Sequence, residues 1–219
     1  QLYSRVLRFF GIGESQLVTV LADLIDKQTD PTLAPYAKVG EVTLRLSTKA
    51  DSQEEANVRL NQLEEEILQR DHLRVFFYAY GDDNSLVKTV ATLLEEKKQS
   101  LGILENGTGG LLQAELSLAL AGQPYYSGGK IIGQLGTESG GLSEEASRIR
   151  EELQADLGLV VSVAVKPEST VDNVLAKVYL ALASTSGISK KEVDLGGYSW
   201  QYLRQLACLQ ALDFVRNTL

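Results

Sequence analysis

The spacing of hydrophobic residues changes period several times along the chain, and each change marks an element. Residues 3–10 (Tyr-Ser-Arg-Val-Leu-Arg-Phe-Phe) concentrate strand formers and predict a strand. Beyond the turn at 11–15, Leu17, Val18, Val20, Leu21, Leu24 and Ile25 recur mostly three and four apart, which predicts a helix over 16–27. Thr29-Asp30-Pro31 ends it, since the residue before a proline is held out of helical geometry, and 33–36 starts a short extended segment. At 41–47 apolar and polar residues alternate strictly, predicting a half-buried strand with Val42, Leu44 and Leu46 inward. A helix over 51–70 carries Ala56, Leu60, Leu63 and Ile67 at helical spacing, and 73–80 reads as another strand. That order suits an α+β domain over residues 1–80, with its helices on one face of the sheet.

Residues 81–84 (Gly-Asp-Asp-Asn) read as a linker, and Ser85 as the cap of a helix to about 99 with Leu86, Val90, Leu93 and Leu94 inward. A short strand at 101–105, a glycine-rich turn at 106–110 and a helix at 111–121, apolar on more than one face, come next. A helix at 143–156, strands at 158–165 and 177–184, and a closing helix at 199–217 complete an α/β layered second domain over 85–219. The fold class is therefore α/β, a small α+β domain followed by a layered one. The basic pairs Lys97-Lys98 and Lys190-Lys191, each beside glutamate, read as solvated helix ends.

Composition narrows the function. With 44% hydrophobic and 23% charged residues and no apolar run of membrane-spanning length, the chain reads as a globular protein without a membrane partner. It starts at Gln1 without an initiator methionine or signal-peptide pattern, and so reads as a piece of a longer chain. The single cysteine, Cys208, excludes an intramolecular disulfide and a cysteine-based zinc site, and the expected setting is reducing and cytoplasmic. His72, the only histidine, reads as a surface residue, so neither a histidine triad nor a multi-histidine metal site can be assembled. Neither a metal nor another cofactor is expected. A net charge of −8 without a basic stripe disfavours nucleic acid. Gly11-Ile12-Gly13-Glu14 also lacks the two-residue glycine spacing of an RNA-clamping KH loop.

The best candidate site is the turn Gly107-Thr108-Gly109-Gly110 between a strand and a helix, where backbone amides, a hydroxyl and the positive helix end could receive a phosphate. Glycines needed only for a tight turn explain it about as well. It is not a P-loop, which places lysine directly after the second spaced glycine. Tyr125, Tyr126, Tyr198 and Trp200 could stack on a ring, although such aromatics more usually pack in a core or interface.

In this order the segments resemble the C-terminal half or so of the CinA (competence/damage-inducible) family. Gly11-Ile12-Gly13-Glu14-Ser15, Pro31-Thr32-Leu33-Ala34-Pro35-Tyr36-Ala37 and Gly40-Glu41-Val42-Thr43-Leu44-Arg45 are similar to its KH-type domain. Glu105, Thr108-Gly109-Gly110-Leu111-Leu112, Tyr125 with Gly128-Gly129, Leu142-Ser143-Glu144-Glu145-Ala146 and Ala211-Leu212-Asp213 are similar to its C-terminal domain. The family's N-terminal MoaB-like domain has no counterpart in these residues. The resemblance implies an amidohydrolase-type domain of the kind that releases ammonia from nicotinamide mononucleotide, and a homodimer.

Three departures fall on the active site that the resemblance implies. The family pattern Glu-Ser-Cys-Thr-Gly-Gly, with serine as nucleophile, reads Glu105-Asn106-Gly107-Thr108-Gly109-Gly110 here, and Asn106 has no nucleophilic oxygen. After Gly129 the family's Tyr-x-Asn-x-x-Lys segment is missing, and the chain passes through Lys130-Ile131-Ile132-Gly133-Gln134-Leu135-Gly136 to Ser143 sooner than the family does. The family's Thr-Gly-Ile-Ala-Gly-Pro loop reads Ser162-Val163-Ala164-Val165-Lys166-Pro167, with valine and lysine in place of two glycines. The expectation is a catalytically inactive domain that binds a nicotinamide nucleotide or phosphate through Glu105, Asn106, Gly107, Thr108, Gly109, Gly110 and Ser162, or that serves assembly. The alternative is a deamidase with a rearranged site, in which Thr108 and Lys130 are the candidate catalytic residues and Tyr126 and Lys130 stand in for the missing tyrosine and lysine.

Overall fold

The computed structural model describes residues 1–133 and 141–219, which form two compact units, Gln1–Ser85 and Leu86–Leu219. Each unit is built on its own sheet, giving a mixed α/β chain.

In the first unit β1 (Leu2–Phe10), β2 (Thr32–Lys38), β3 (Glu41–Lys49) and β4 (Phe77–Tyr80) make an antiparallel sheet in the order β2-β3-β1-β4. The alternation at 41–47 does what it predicts: Val42, Leu44 and Leu46 are buried with Leu7 and Phe9 of β1. α3 (Gln53–Leu68) lays Leu60, Ile67 and Leu68 on that core. Its start is fixed by a reciprocal cap, in which Ser52 Oγ accepts from the Glu55 amide at 3.1 Å and Glu55 Oε2 accepts from the Asp51 amide at 3.0 Å.

Two expectations need correction here. The helix over 16–27 is broken at Leu21 into α1 (Glu14–Val20) and α2 (Ala22–Lys27). The β-branched run Val18-Thr19-Val20 is a poor helix former, and Leu17 and Leu21, four apart on one face, both still reach the core. The strand over 73–80 is only β4; residues Arg70–Val75 form a 3-10 turn in which Asp71 and His72 adopt left-handed φ of 39° and 59°. Leu73 plugs the core from that turn while Val75 is 72% exposed, so the apolar run is not one face of a strand.

The linker at 81–84 is tied down more firmly than its composition suggests. Arg8, buried on β1, donates from Nη1 to the carbonyls of Gly81 (3.1 Å) and Asp82 (3.3 Å), and from Nε to Tyr78 Oη at 2.8 Å. Arg45 adds an exposed ion pair to Asp82 at 2.5 Å. We expect the endoproteinase Asp-N to cut first at Asp82 or Asp83, and Arg8→Met to speed that cleavage several-fold. First cuts within 101–165 would place the weak point elsewhere.

In the second unit β5 (Leu101–Asn106) lies between β6 (Tyr126–Ile132) and β7 (Leu157–Val165), parallel to both; β8 (Val174–Ser184) and β9 (Gly187–Tyr198) extend the sheet antiparallel, in the order β6-β5-β7-β8-β9. β5 is buried along its whole length, as a central parallel strand covered on both faces must be. α6 (Leu142–Glu152) covers one face through Leu142, Ala146 and Ile149, packed on Leu104, Val160, Ala181 and Ala183. It sits so close that a Cβ at Gly158 would lie 2.1 Å from the Ala146 carbonyl oxygen. α4 (Leu86–Lys97), α5 (Leu111–Ala119) and α7 (Trp200–Thr218) pack together, with α7 also against β7, β8 and β9.

The helix over 143–156 stops at Glu152 because Gln154 turns left-handed at φ 50°, and the Ala155 amide closes the end on Arg150 O at 2.9 Å. Lys190-Lys191 is not a helix end but part of β9, whereas Lys97 does end α4. α5 buries Leu112 and Leu116 and exposes Leu118 at 79%, so its second apolar face comes down to one large side chain. Among the described residues no helix is long and apolar enough to cross a membrane.

Candidate functional site

The carboxyl end of β5 delivers Glu105 and Asn106, and the chain then turns sharply into α5. Gly107, Gly109 and Gly110 all take left-handed φ, of 84°, 65° and 84°, so the turn's glycines are required by its backbone. The conformation points the side chain of Thr108 inward. Glu105 is fully buried and occupies the place the sequence reserves for an anion: Oε1 accepts from the Gln113 amide at 2.8 Å, and Oε2 from the Leu112 amide at 3.3 Å and from Thr108 Oγ1 at 2.5 Å. The positive end of α5 is thus neutralised by the protein's own carboxylate. Thr108 has no exposed surface, and its hydroxyl proton is committed to Glu105.

Asn106 donates from Nδ2 to Ser162 Oγ at 3.0 Å, across the β5–β7 register that places the two residues opposite each other. Val163, beside it, packs where a Cβ on Gly107 would lie, 2.9 Å away, and so covers one side of that glycine. Lys166 reaches outward to Asp194 at 3.0 Å.

Lys130 is not brought to this cluster. It stands opposite Leu104 in the β5–β6 register and shares the sheet face that α6 covers, where its ammonium pairs with Glu152. Ile131, one residue on, faces α5, its Cδ1 2.5 Å from where a Gly110 Cβ would stand. The Lys130 ammonium and the Thr108 hydroxyl therefore lie on opposite faces of one sheet. Tyr126 reaches Gln113 Oε1 at 3.2 Å, its phenol pushed up by burial and by the Glu105 charge. The Cys208 thiol is buried beneath α5 and raised by burial and by the Glu105 and Glu115 carboxylates, which keeps it protonated and poorly nucleophilic. The part of the shortened segment at 134–140 lies outside the described residues. Among those described, no group of three or more histidine, cysteine, aspartate or glutamate side chains is placed to hold a metal.

One side chain at the turn is not singled out by the sequence. Arg204, in the first turns of α7, grips the carbonyl of Thr108 with Nε at 3.1 Å and Nη2 at 2.6 Å. It leans so closely over the turn that a Cβ on Gly109 would stand 2.4 Å from Nη2. With Trp200 one helical turn earlier it borders an open depression of about 340 Å³ whose floor is Gly107, Gly109, Ile131, Ile132 and Gly133. The spacing of Trp200 and Arg204, four residues apart after a Ser199 cap, was the available signal.

The family model for the damage-inducible protein CinA KH domain matches residues 4–79. A competence-damage inducible protein of Streptococcus suis is 83% identical over 219 residues, covering all of this chain and 56% of the relative. One from Streptococcus agalactiae is 40% identical and one from Streptococcus pneumoniae 41%, each over 242 positions, covering all of this chain and 58% of each relative. The chain therefore spans a little over half the length of these relatives, and the last two carry residues within the aligned stretch that it lacks. Among solved structures, a competence-damaged protein (CinA) superfamily protein of Escherichia coli aligns over 64% of this chain and 93% of its own, with a TM-score of 0.50 and 19% identity. Competence damage-inducible protein A of Klebsiella pneumoniae aligns over 60% and 93%, with a TM-score of 0.50 and 21% identity. Both likenesses concern the fold alone.

Proposed function

Because the chain belongs to the competence/damage-inducible CinA family, with a KH-type first unit, we propose that its second unit is a non-hydrolytic, ligand-binding form of that family's amidohydrolase-type domain. The observation that carries this reading is the state of Thr108. The only hydroxyl in the turn is fully buried and bonded to a carboxylate that two helix amides hold in place. An amide carbon cannot approach it, and the carboxylate oxygens beside it are already engaged by the Leu112 and Gln113 amides.

Binding is supported by what surrounds the depression. Arg204 supplies a cation beside the turn, Trp200 a ring face, and Ile131 an apolar wall, a combination suited to a phosphorylated aromatic compound such as a nicotinamide nucleotide. The contact of Thr108 Oγ1 with Glu105 is also the one feature that favours the second reading, a deamidase with threonine as nucleophile and Glu105 as base.

Trp200 is the only tryptophan, so its fluorescence reports on this site directly. Titration with nicotinamide mononucleotide should change it saturably, inorganic phosphate should compete, and no ammonia should appear. Ammonia released with turnover would overturn the non-hydrolytic reading. An unchanged signal at millimolar nucleotide would remove the ligand from it.

A further inference from the structure

Arg204 uses only part of its hydrogen-bonding capacity on the fold. Nε and Nη2 both donate to one neutral oxygen, the Thr108 carbonyl, at 3.1 and 2.6 Å, and among the described residues no carboxylate pairs with the guanidinium. A guanidinium is planar and carries donors on both its Nε–Nη2 edge and its Nη1–Nη2 edge. The carbonyl occupies the first edge and leaves the second. Arg204 lines the depression beside Gly107, Gly109 and Trp200, so the second edge is the one a molecule there can meet. Gly109 makes this placement possible, because a Cβ on it would stand 2.4 Å from Nη2. The Thr108 carbonyl is also the oxygen on which α5 starts, accepting from the Leu111 amide at 3.4 Å.

The geometry points to Arg204 as a shared clamp that sets the specificity of the depression: its inner edge holds the start of α5, and its outer edge takes an oxyanion. The group selected is one that presents two oxygens in a plane, a phosphate or a carboxylate, whereas a monatomic anion gains nothing from the fork. This role rests on the ligand-binding reading above and adds a coupling to it. With both edges bonded, one guanidinium ties α5, α7 and the ligand together, so that filling the depression stiffens the turn. Lysine keeps the charge but is a point charge without a fork, and cannot serve both partners in this way.

The test titrates the whole chain with inorganic phosphate and with nicotinamide mononucleotide, read by Trp200 fluorescence and by hydrogen exchange, alongside Arg204→Lys and Gly109→Ala. In the unaltered chain chloride at matched ionic strength should not displace phosphate, and the Leu111 amide should exchange several-fold more slowly once the site is filled. Arg204→Lys should weaken phosphate binding about tenfold although the charge is kept, and Gly109→Ala should do the same by displacing an intact arginine. The chloride and exchange measurements need no variant, so they decide the matter even where a substitution unfolds the unit. Phosphate held equally well by Arg204→Lys, chloride competing as strongly as phosphate, or unchanged exchange at Leu111 in the filled site would overturn the clamp and leave the ligand reading standing. No response to either ligand would remove both.

Discussion

Glu105→Ala is expected to cost the second unit about 3–5 kcal/mol, among the largest losses a single substitution can cause here. The carboxylate has no exposed surface and holds three donors, the hydroxyl of Thr108 and the amides of Leu112 and Gln113. Alanine would leave all three buried at a helix start that has no other cap, since Gly110 offers no side chain. Each stranded donor costs about 1–3 kcal/mol, offset in part by the relief of burying a charge. Glu105→Gln should lose far less, because its carbonyl oxygen still serves an amide and the Thr108 hydroxyl can rotate to accept from the new amide group. Urea unfolding followed through Trp200 reads the second unit alone, as the first contains no tryptophan. A loss below about 1 kcal/mol for the alanine variant would show that water or a rearranged turn replaces the carboxylate.

The same carboxylate marks how far the sequence could be read. A strand, a glycine-rich turn and an apolar helix were legible at 101–121 from period and composition, and Glu105, Asn106, Thr108 and Ser162 do converge there. Which anion fills the helix end was not legible, because it depends on Glu105 folding back on a helix it precedes. Elements with one apolar face, such as β3 and α3, were plain from their period. β6 and β9 were not: the first mixes Gly128, Gly129 and Lys130 at an edge, and the second is polar along most of its length, so neither shows an apolar face. The face that Lys130 takes depends on β6. Without knowing that Lys130 lies on a strand in register with Leu104, nothing in the sequence says which face its ammonium takes. For Arg204 the four-residue spacing from Trp200 indicates a shared helix face, but nothing local says that it binds a carbonyl ninety-six residues away.

Asn106→Ser alone is expected to release no ammonia from nicotinamide mononucleotide above the rate of the unaltered chain. The substitution restores the residue type that the family pattern places there, but a serine nucleophile also needs a group to take its proton, and such a group contributes about 10²–10⁴ in rate. Among the described residues none is placed to do so. Ser162, the present partner of Asn106, is another hydroxyl, Lys130 is held by Glu152 across the sheet, and Glu105 is engaged by α5. Val163 crowds the turn as well, its Cβ 2.9 Å from where a Gly107 Cβ would stand. The informative comparison is N106S and the double variant N106S/V163G against an intact family member in the same ammonia assay. Both variants should stay at background while the Trp200 signal still responds to the nucleotide, separating lost chemistry from lost binding. Turnover by N106S within about tenfold of the intact relative would mean that a base reaches the introduced hydroxyl after all, and that the nucleophile alone was what this chain had lost.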